Sequence, residues 1–255
     1  MKKQTYADLN AAAVDNWVSQ GWEWGKPVSH ETYQRALAGD WSIRLTPTHP
    51  IPDRWFPPLS GCRVLCLASG GGQQGPILTA RGAVCTVLDY SKKQLESEQM
   101  VARREGYEIA LVRADMSQGL PFADSSFDLI VNPVSNCYIE DACALWRECY
   151  RVLAPGGILM AGLDNGLNYV FDETEEDRVV RGLPFNPLKE KALYEASVKN
   201  DWGIQFSHTF NDQIAGQLRA GFQLTDGFED YNGIGLLNDL RIPTFWATRA
   251  VKPEK

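Results

Sequence analysis

The stretch Leu65-Cys66-Leu67-Ala68-Ser69-Gly70-Gly71-Gly72-Gln73-Gln74-Gly75-Pro76 decides the fold. An apolar run, Arg63–Leu67, passes straight into small residues and glycine. A short continuous apolar run reads as a strand buried on both faces. The glycines read as a turn whose backbone can approach a ligand closely or take positive φ. Residues 73–81 then read as a helix. In an open parallel sheet, ligands bind outside the carboxyl ends of the strands, so this turn is the natural place for one.

Outward from the turn, strands and helices alternate. Residues 84–88 (VCTVL), 109–112, 127–131 (FDLIV) and 158–163 read as strands. Residues 91–105, with Leu95, Met100 and Val101, and 140–153, with Cys143, Trp146, Cys149 and Tyr150, read as helices. Pro155-Gly156-Gly157 ends the second of these. The alternation predicts an α/β fold, a parallel sheet covered by helices on both faces. Residues 164–210 break the rhythm and read as an insertion after the fifth strand. Its acidic run, Asp172-Glu173-Thr174-Glu175-Glu176-Asp177, is a solvated face, and residues 188–199 are helical. The pattern resumes with a helix at 211–220, closed by Gly221, and strands at 222–228 and 244–251. Upstream, two helices are expected at 6–19 and 30–37, the latter opened by Ser29. Residues 45–58 carry five prolines and read as an extended linker. The expected division is an N-terminal cap and linker at 1–60 and a core at 61–255, with 164–210 as a second cap element.

The 255 residues are 44% hydrophobic and 22% charged, an ordinary globular balance. The net charge is −7, and the longest basic runs are pairs such as Lys92-Lys93 and Arg103-Arg104. Nucleic acid is thus disfavoured as a partner, because phosphate binding needs a basic face. Six cysteines occur without a C-x-x-C pair, so zinc spacing is absent and no metal is expected. Free thiols suit a reducing compartment. No signal segment and no run of about 18 apolar residues is present, which points to the cytoplasm and no membrane partner. Monomer and homodimer both stay open.

The glycine run does not choose its ligand alone. Gly70, Gly72 and Gly75 spell G-x-G-x-x-G, with Asp89 at the end of the second strand, as in a nicotinamide dinucleotide site. No Y-x-x-x-K occurs, so a short-chain dehydrogenase pair is missing. Asp115 stands just beyond the third strand, where it can accept a hydrogen bond from an adenine amino group. Leu120-Pro121-Phe122, Phe127-Asp128 and Arg151-Val152-Leu153-Ala154-Pro155-Gly156-Gly157 follow.

On these motifs, residues 63–162 resemble the core of class I S-adenosylmethionine-dependent methyltransferases of the methyltransferase-11 type. The resemblance implies a Rossmann-like seven-stranded sheet with the last strand antiparallel. It implies S-adenosylmethionine as cofactor and S-adenosylhomocysteine as product. Carried over residue by residue, Ala68, Ser69, Gly70, Gly71 and Gly72 contact the methionine part, with Gln73 and Gln74 opening the helix. Asp89 binds the ribose, followed by Tyr90, which packs on adenine or ribose, and Ser91. Asp115 binds adenine with Met116 beside it. Asn132, Pro133 and Val134 form the loop beneath the sulfonium. Two positions depart from the pattern: Cys66 stands where the family often has a first-strand acid, and Ala68 where it has the opening glycine. Ser69, Gln73 or Gln74 are the expected compensation.

The cofactor is intrinsically activated, so the protein mainly orients the reactants, and a base helps where the acceptor loses a proton. Tyr138, Asn136 and His208 are the catalytic candidates, with Asp164, Asn165 and His30 also near expected loops. Each has a plainer reading: wall packing for Tyr138, helix capping for His208, a surface position for His30. The N-terminal tryptophans either pack the cap or line an aromatic pocket, Trp24 and Trp41 being those expected to face it. A cap plus an insertion encloses space that suits a small-molecule acceptor. The alternatives are an RNA or protein acceptor, a cofactor-binding protein without transfer activity, and a nicotinamide oxidoreductase.

Overall fold

The computed structural model describes residues 4–172 and 177–254. Helix α1 (Tyr6–Ser19) opens on a reciprocal cap: Asp8 N–H donates to Thr5 Oγ1 and Thr5 N–H to Asp8 Oδ2. Helix α2 (His30–Leu37) opens on Ser29, whose hydroxyl accepts from Thr32 N–H.

The seven strands are β1 (Arg63–Leu67), β2 (Val84–Asp89), β3 (Ala110–Arg113), β4 (Phe127–Asn132), β5 (Leu153–Asp164), β6 (Gln223–Asp230) and β7 (Phe245–Val251). They form one sheet in the order β3-β2-β1-β4-β5-β7-β6. β7 runs antiparallel to both β5 and β6, as expected. β1 lies between β2 and β4, so the strand order reverses there. That reversal opens a crevice at the carboxyl ends.

Alternate residues of each strand face opposite layers. Val64 and Cys66 pack with Trp55 and with Ile77 and Leu78 of α3 (Gln74–Ala80). Leu65 and Leu67 pack with Leu145, Trp146 and Cys149 of α5 (Ala142–Val152). Trp146 is fully buried, and its indole N–H donates to Asp212 O at 3.0 Å. Burying each such large side chain contributes about 1.5–3 kcal/mol. Between β2 and β3 lies α4 (Lys92–Glu105), capped by Ser91 and closed by Gly106. Late in the chain come α6 (Lys191–Lys199), α7 (Phe210–Ala220) and the short α8 (Leu236–Asp239).

Residues 45–58 are not a linker. Leu45, Ile51 and Trp55 are buried in the sheet's first layer, and Ile51 N–H donates to Ile43 O at 2.9 Å. Leu45 O accepts from Val134 N–H at 2.9 Å, tying this strap to the loop after β4. The prolines set the bends, but the apolar residues between them decide the location. Pro155-Gly156-Gly157 also lies inside β5 rather than before it, with Gly156 N–H donating to Lys252 O at 2.8 Å. Residues 188–199 split into a turn at Pro187–Lys189 and α6, because Glu190 is extended. In the acidic run, Glu173-Thr174-Glu175-Glu176 lie outside the described residues. All six cysteines are free thiols, five of them buried and Cys143 half-buried. Among the described residues no helix is long and apolar enough to cross a membrane.

Candidate active site

A cavity of about 310 Å³ opens at the carboxyl ends of β1, β2 and β4 and continues past the end of β5. The turn after β1 forms one wall. Ala68 N–H donates to Leu88 O at 2.8 Å, and Ala68 takes φ +46, a left-handed conformation that its methyl group disfavours. Ser69 Oγ donates to Gln74 Oε1 at 3.0 Å, and Gln74 Nε2 to Arg44 O at 3.2 Å. Gly70 N–H then donates to Asp89 Oδ2 at 3.1 Å. A Cβ at Gly70 would sit 2.8 Å from that oxygen and 2.6 Å from Gln94 Cβ, so only glycine fits there.

Asp89 ends β2, and its second oxygen accepts from Ser91 N–H at 2.9 Å. Burial pushes its carboxyl up to about 6, against the pull of these backbone donors. Tyr90 donates to Asp8 Oδ1 of α1 at 2.7 Å, with the Arg113 guanidinium over its ring. Asp115 accepts from Ser117 N–H at 2.9 Å and lines the cavity beside Met116.

Helix α1 crosses over the cavity with Ala7, Asn10, Ala11 and Val14 on its wall. On one side Asp15 accepts from Ser91 Oγ and Lys93 N–H. On the other, Asn10 exchanges hydrogen bonds with the Ile204 backbone at 2.9 and 2.6 Å, and Trp17 Nε1 donates to Asp201 O. The cap therefore joins the core and the insertion across the top of the cavity.

Beyond the β4 end, Pro133, Val134, Tyr138, Asp164, Tyr169 and Phe245 complete the walls. The Tyr138 hydroxyl has no hydrogen-bond partner among the described residues, and burial holds its pKa well above the ordinary value. Asp164, 7% exposed, accepts from Gly166 N–H at 2.7 Å and from Asn168 Nδ2 at 3.4 Å. Burial pushes its carboxyl up to about 6. Among the described lining residues are three carboxylates, Asp89, Asp115 and Asp164, and one guanidinium, Arg44. The cavity is thus set for a cationic rather than an anionic ligand.

Twelve of the expected cofactor contacts line this cavity: Ala68, Ser69, Gly70, Gln73, Gln74, Asp89, Tyr90, Ser91, Asp115, Met116, Pro133 and Val134. Gly71, Gly72 and Asn132 do not. Gly71 and Gly72 turn towards α4 and the cap, where Gly72 O accepts from Val28 N–H at 2.8 Å. Asn132 is buried under the turn, its Nδ2 donating to Leu67 O at 2.9 Å and Ser135 Oγ at 2.8 Å. Of the catalytic candidates Tyr138 reaches the cavity, as does Asp164, whereas Asn136, His208, Asn165 and His30 do not line it. Asn136 is buried with its Nδ2 on Gln213 Oε1, and its carbonyl takes His208 Nε2 at 3.0 Å. His208 faces a separate hollow beside Glu140 and Asp212. His30 pairs with Glu105 on the surface. Trp24, joined by Trp22, lines the cavity, whereas Trp41 packs on Phe56 at 4.8 Å.

Gln94 and Glu98 stand at the site beyond the expected residues, Gln94 lining the cavity and Glu98 behind the turn. Both lie on the buried face of α4 with Val101 and Ala102, at i, i+4, i+7 and i+8. Two polar residues on an otherwise apolar helical stripe are a legible signal of a buried polar task.

The comparisons agree with this architecture. Residues 65–161 match the methyltransferase domain family. The uncharacterized methyltransferase YbaJ of Bacillus subtilis is 42% identical over 249 residues, covering 95% of this chain and 97% of that protein. A crystal structure of an S-adenosylmethionine-dependent methyltransferase from Mesorhizobium loti superposes with TM-score 0.63 at 20% identity, over 78% of this chain and 94% of that one. The 1,6-didemethyltoxoflavin-N1-methyltransferase of Burkholderia thailandensis, solved with S-adenosylhomocysteine, gives 0.59 at 13% identity over 99% and 92%. With this sheet order, this turn and a relative matched end to end, the chain belongs to the class I S-adenosylmethionine-dependent methyltransferases.

Proposed function

We propose that the protein methylates a small, largely apolar acceptor held beneath α1, and that Asp164 takes the acceptor's proton. The observation that carries this reading is the continuity of one cavity from Asp89 and Asp115 to Tyr138, Asp164, Tyr169 and Phe245. Its walls are mainly apolar, and residues 1–60 and 164–210 act as the cap that roofs it, which favours a small molecule over a polymer.

The residues fit S-adenosylmethionine. Gly70 presents bare backbone to the cavity, and the acid-rich lining suits a sulfonium cation. Ala68, Ser69 and Gly70 receive the methionine part, Asp89 the ribose hydroxyls and Asp115 the adenine amino group. Pro133 and Val134 form the wall below the reacting carbon. Bound there, the cofactor supplies an electrophilic methyl group. The chain's part is to hold the acceptor in line with it and to exclude water. The methyl carbon's bond to sulfur would break as its bond to the acceptor forms, leaving S-adenosylhomocysteine, and the acceptor's proton would pass to Asp164 Oδ2, which among the described residues is held by the long contact from Asn168. A carboxyl near 6 is ionised at neutral pH and still basic enough to serve.

Incubation with methyl-labelled cofactor and a fractionated bacterial extract tests the reading. Label is expected in a small-molecule fraction, and label confined to RNA or protein would overturn it.

A further inference from the structure

Glu98 is fully buried on α4. Its Oε1 accepts from Gly72 N–H at 2.8 Å. Its Oε2 is buried without a partner among the described residues. Val87 and Ile109 crowd the same space beside Gly75. A Cβ at Gly75 would lie 3.0 Å from Oε2, so the third glycine of the G-x-G-x-x-G pattern makes room for this carboxyl. Burying a carboxyl with an unpartnered oxygen among aliphatic side chains is costly whether it is charged or neutral. A merely structural position on this face would be met more cheaply by leucine. The carboxyl is directed at the Gly72 amide of a turn whose other face lines the cavity.

That amide matters for a second reason. In a dinucleotide fingerprint, the turn's N–H groups meet a pyrophosphate. Here an acid already occupies the Gly72 amide from behind. The turn is consequently held between two carboxyls, Asp89 on the Gly70 amide and Glu98 on the Gly72 amide.

We infer that Glu98 is a positioning residue for the cofactor. By fixing the back of the turn it fixes the Ala68–Ser69–Gly70 face that receives the methionine part of S-adenosylmethionine. The inference rests on the cofactor placement proposed above. Burial, against the pull of the Gly72 amide and with Cys85 and Asp89 adding to it, pushes the Glu98 carboxyl up to about 8, so it is mostly protonated at neutral pH. The titratable groups facing it are Cys66, Cys85, Asp89 and Tyr107. Glutamine, isosteric with the protonated acid, should therefore replace it.

Calorimetric titration with S-adenosylhomocysteine and with adenosine separates this role from general support. Adenosine carries the ribose and adenine but not the part that meets the turn. Glu98→Ala is expected to weaken S-adenosylhomocysteine by about tenfold or more and adenosine by less than about threefold. Glu98→Gln should stay within about threefold of wild type for both. Should Glu98→Ala not fold, Gly75→Ala pushes a methyl against Oε2 and should give the same split. Equal affinities in wild type and variants, or parallel losses for both ligands, would overturn the inference. Failure of the wild type to bind either ligand would instead remove the cofactor placement, and the inference with it.

Discussion

Asp89 Oδ2 accepts the Gly70 amide proton at 3.1 Å, so the acid that ends β2 also closes the turn that follows β1. One carboxylate thereby couples two strands of the switch point to one wall of the cavity. Its protonation state then bears on both folding and ligand binding, with opposite signs.

The carboxyl of Asp89 stands near 6 in the folded protein against 3.8 ordinarily. Its stabilising contribution is complete below the unfolded value and is lost as pH rises through about 6. Ribose recognition needs the ionised form, so S-adenosylhomocysteine affinity moves the other way. Calorimetry should show binding about tenfold weaker at pH near 5 than at pH near 8. A flat profile would mean that another group holds the ribose.

Gly70→Ala places a methyl carbon 2.8 Å from Asp89 Oδ2. The turn or the aspartate must shift, at an expected cost of about 1–3 kcal/mol. Thermal denaturation should register a lower midpoint, and S-adenosylhomocysteine binding should fall with it. A variant that melts and binds like wild type would show that the contact between β2 and the turn is loose.

Ala68→Gly should stabilise the protein. The φ of +46 at Ala68 strains a residue with a Cβ, and relief outweighs the entropy of glycine by about 0.5–1 kcal/mol. The melting midpoint is expected to rise by roughly 1–4 °C. An unchanged or lower midpoint would contradict the strain.

Asp164→Asn separates the acceptor side from the cofactor side. With the acceptor recovered from the labelled-methyl experiment, kcat should fall by about 10²–10³. S-adenosylhomocysteine affinity should stay within about twofold. In the wild type, kcat should rise with pH through about 6 as this buried carboxyl ionises, and the variant should lose that limb. Retention of the limb would assign the proton to another group.

Local signals carried most of the fold. Thr5 and Ser29 mark helix starts by their own side-chain hydrogen bonds, so α1 and α2 fall at the expected residues. The strands around the turn are apolar on both faces, which few other elements are. The remainder depends on tertiary packing. Residues 45–58 look like a linker because proline dominates the local pattern, but Leu45, Ile51 and Trp55 are drawn into the core. Within Gly70-Gly71-Gly72, no periodicity says which residue faces the cavity. Contacts with α4 and the cap turn Gly71 and Gly72 away. Asn136 and His208 are close in the chain to cavity-lining residues, yet they satisfy each other and Gln213 behind the wall. Glu98 was legible only as an acid out of place on an apolar stripe, and its partner Gly72 lies 26 residues away.

The most direct measurement is calorimetric titration of wild type and Asp89→Ala with S-adenosylhomocysteine. The account predicts a dissociation constant for the wild type on the order of micromolar and a loss of about tenfold or more in the variant. Equal binding by the two proteins would contradict the placement of the cofactor in this cavity.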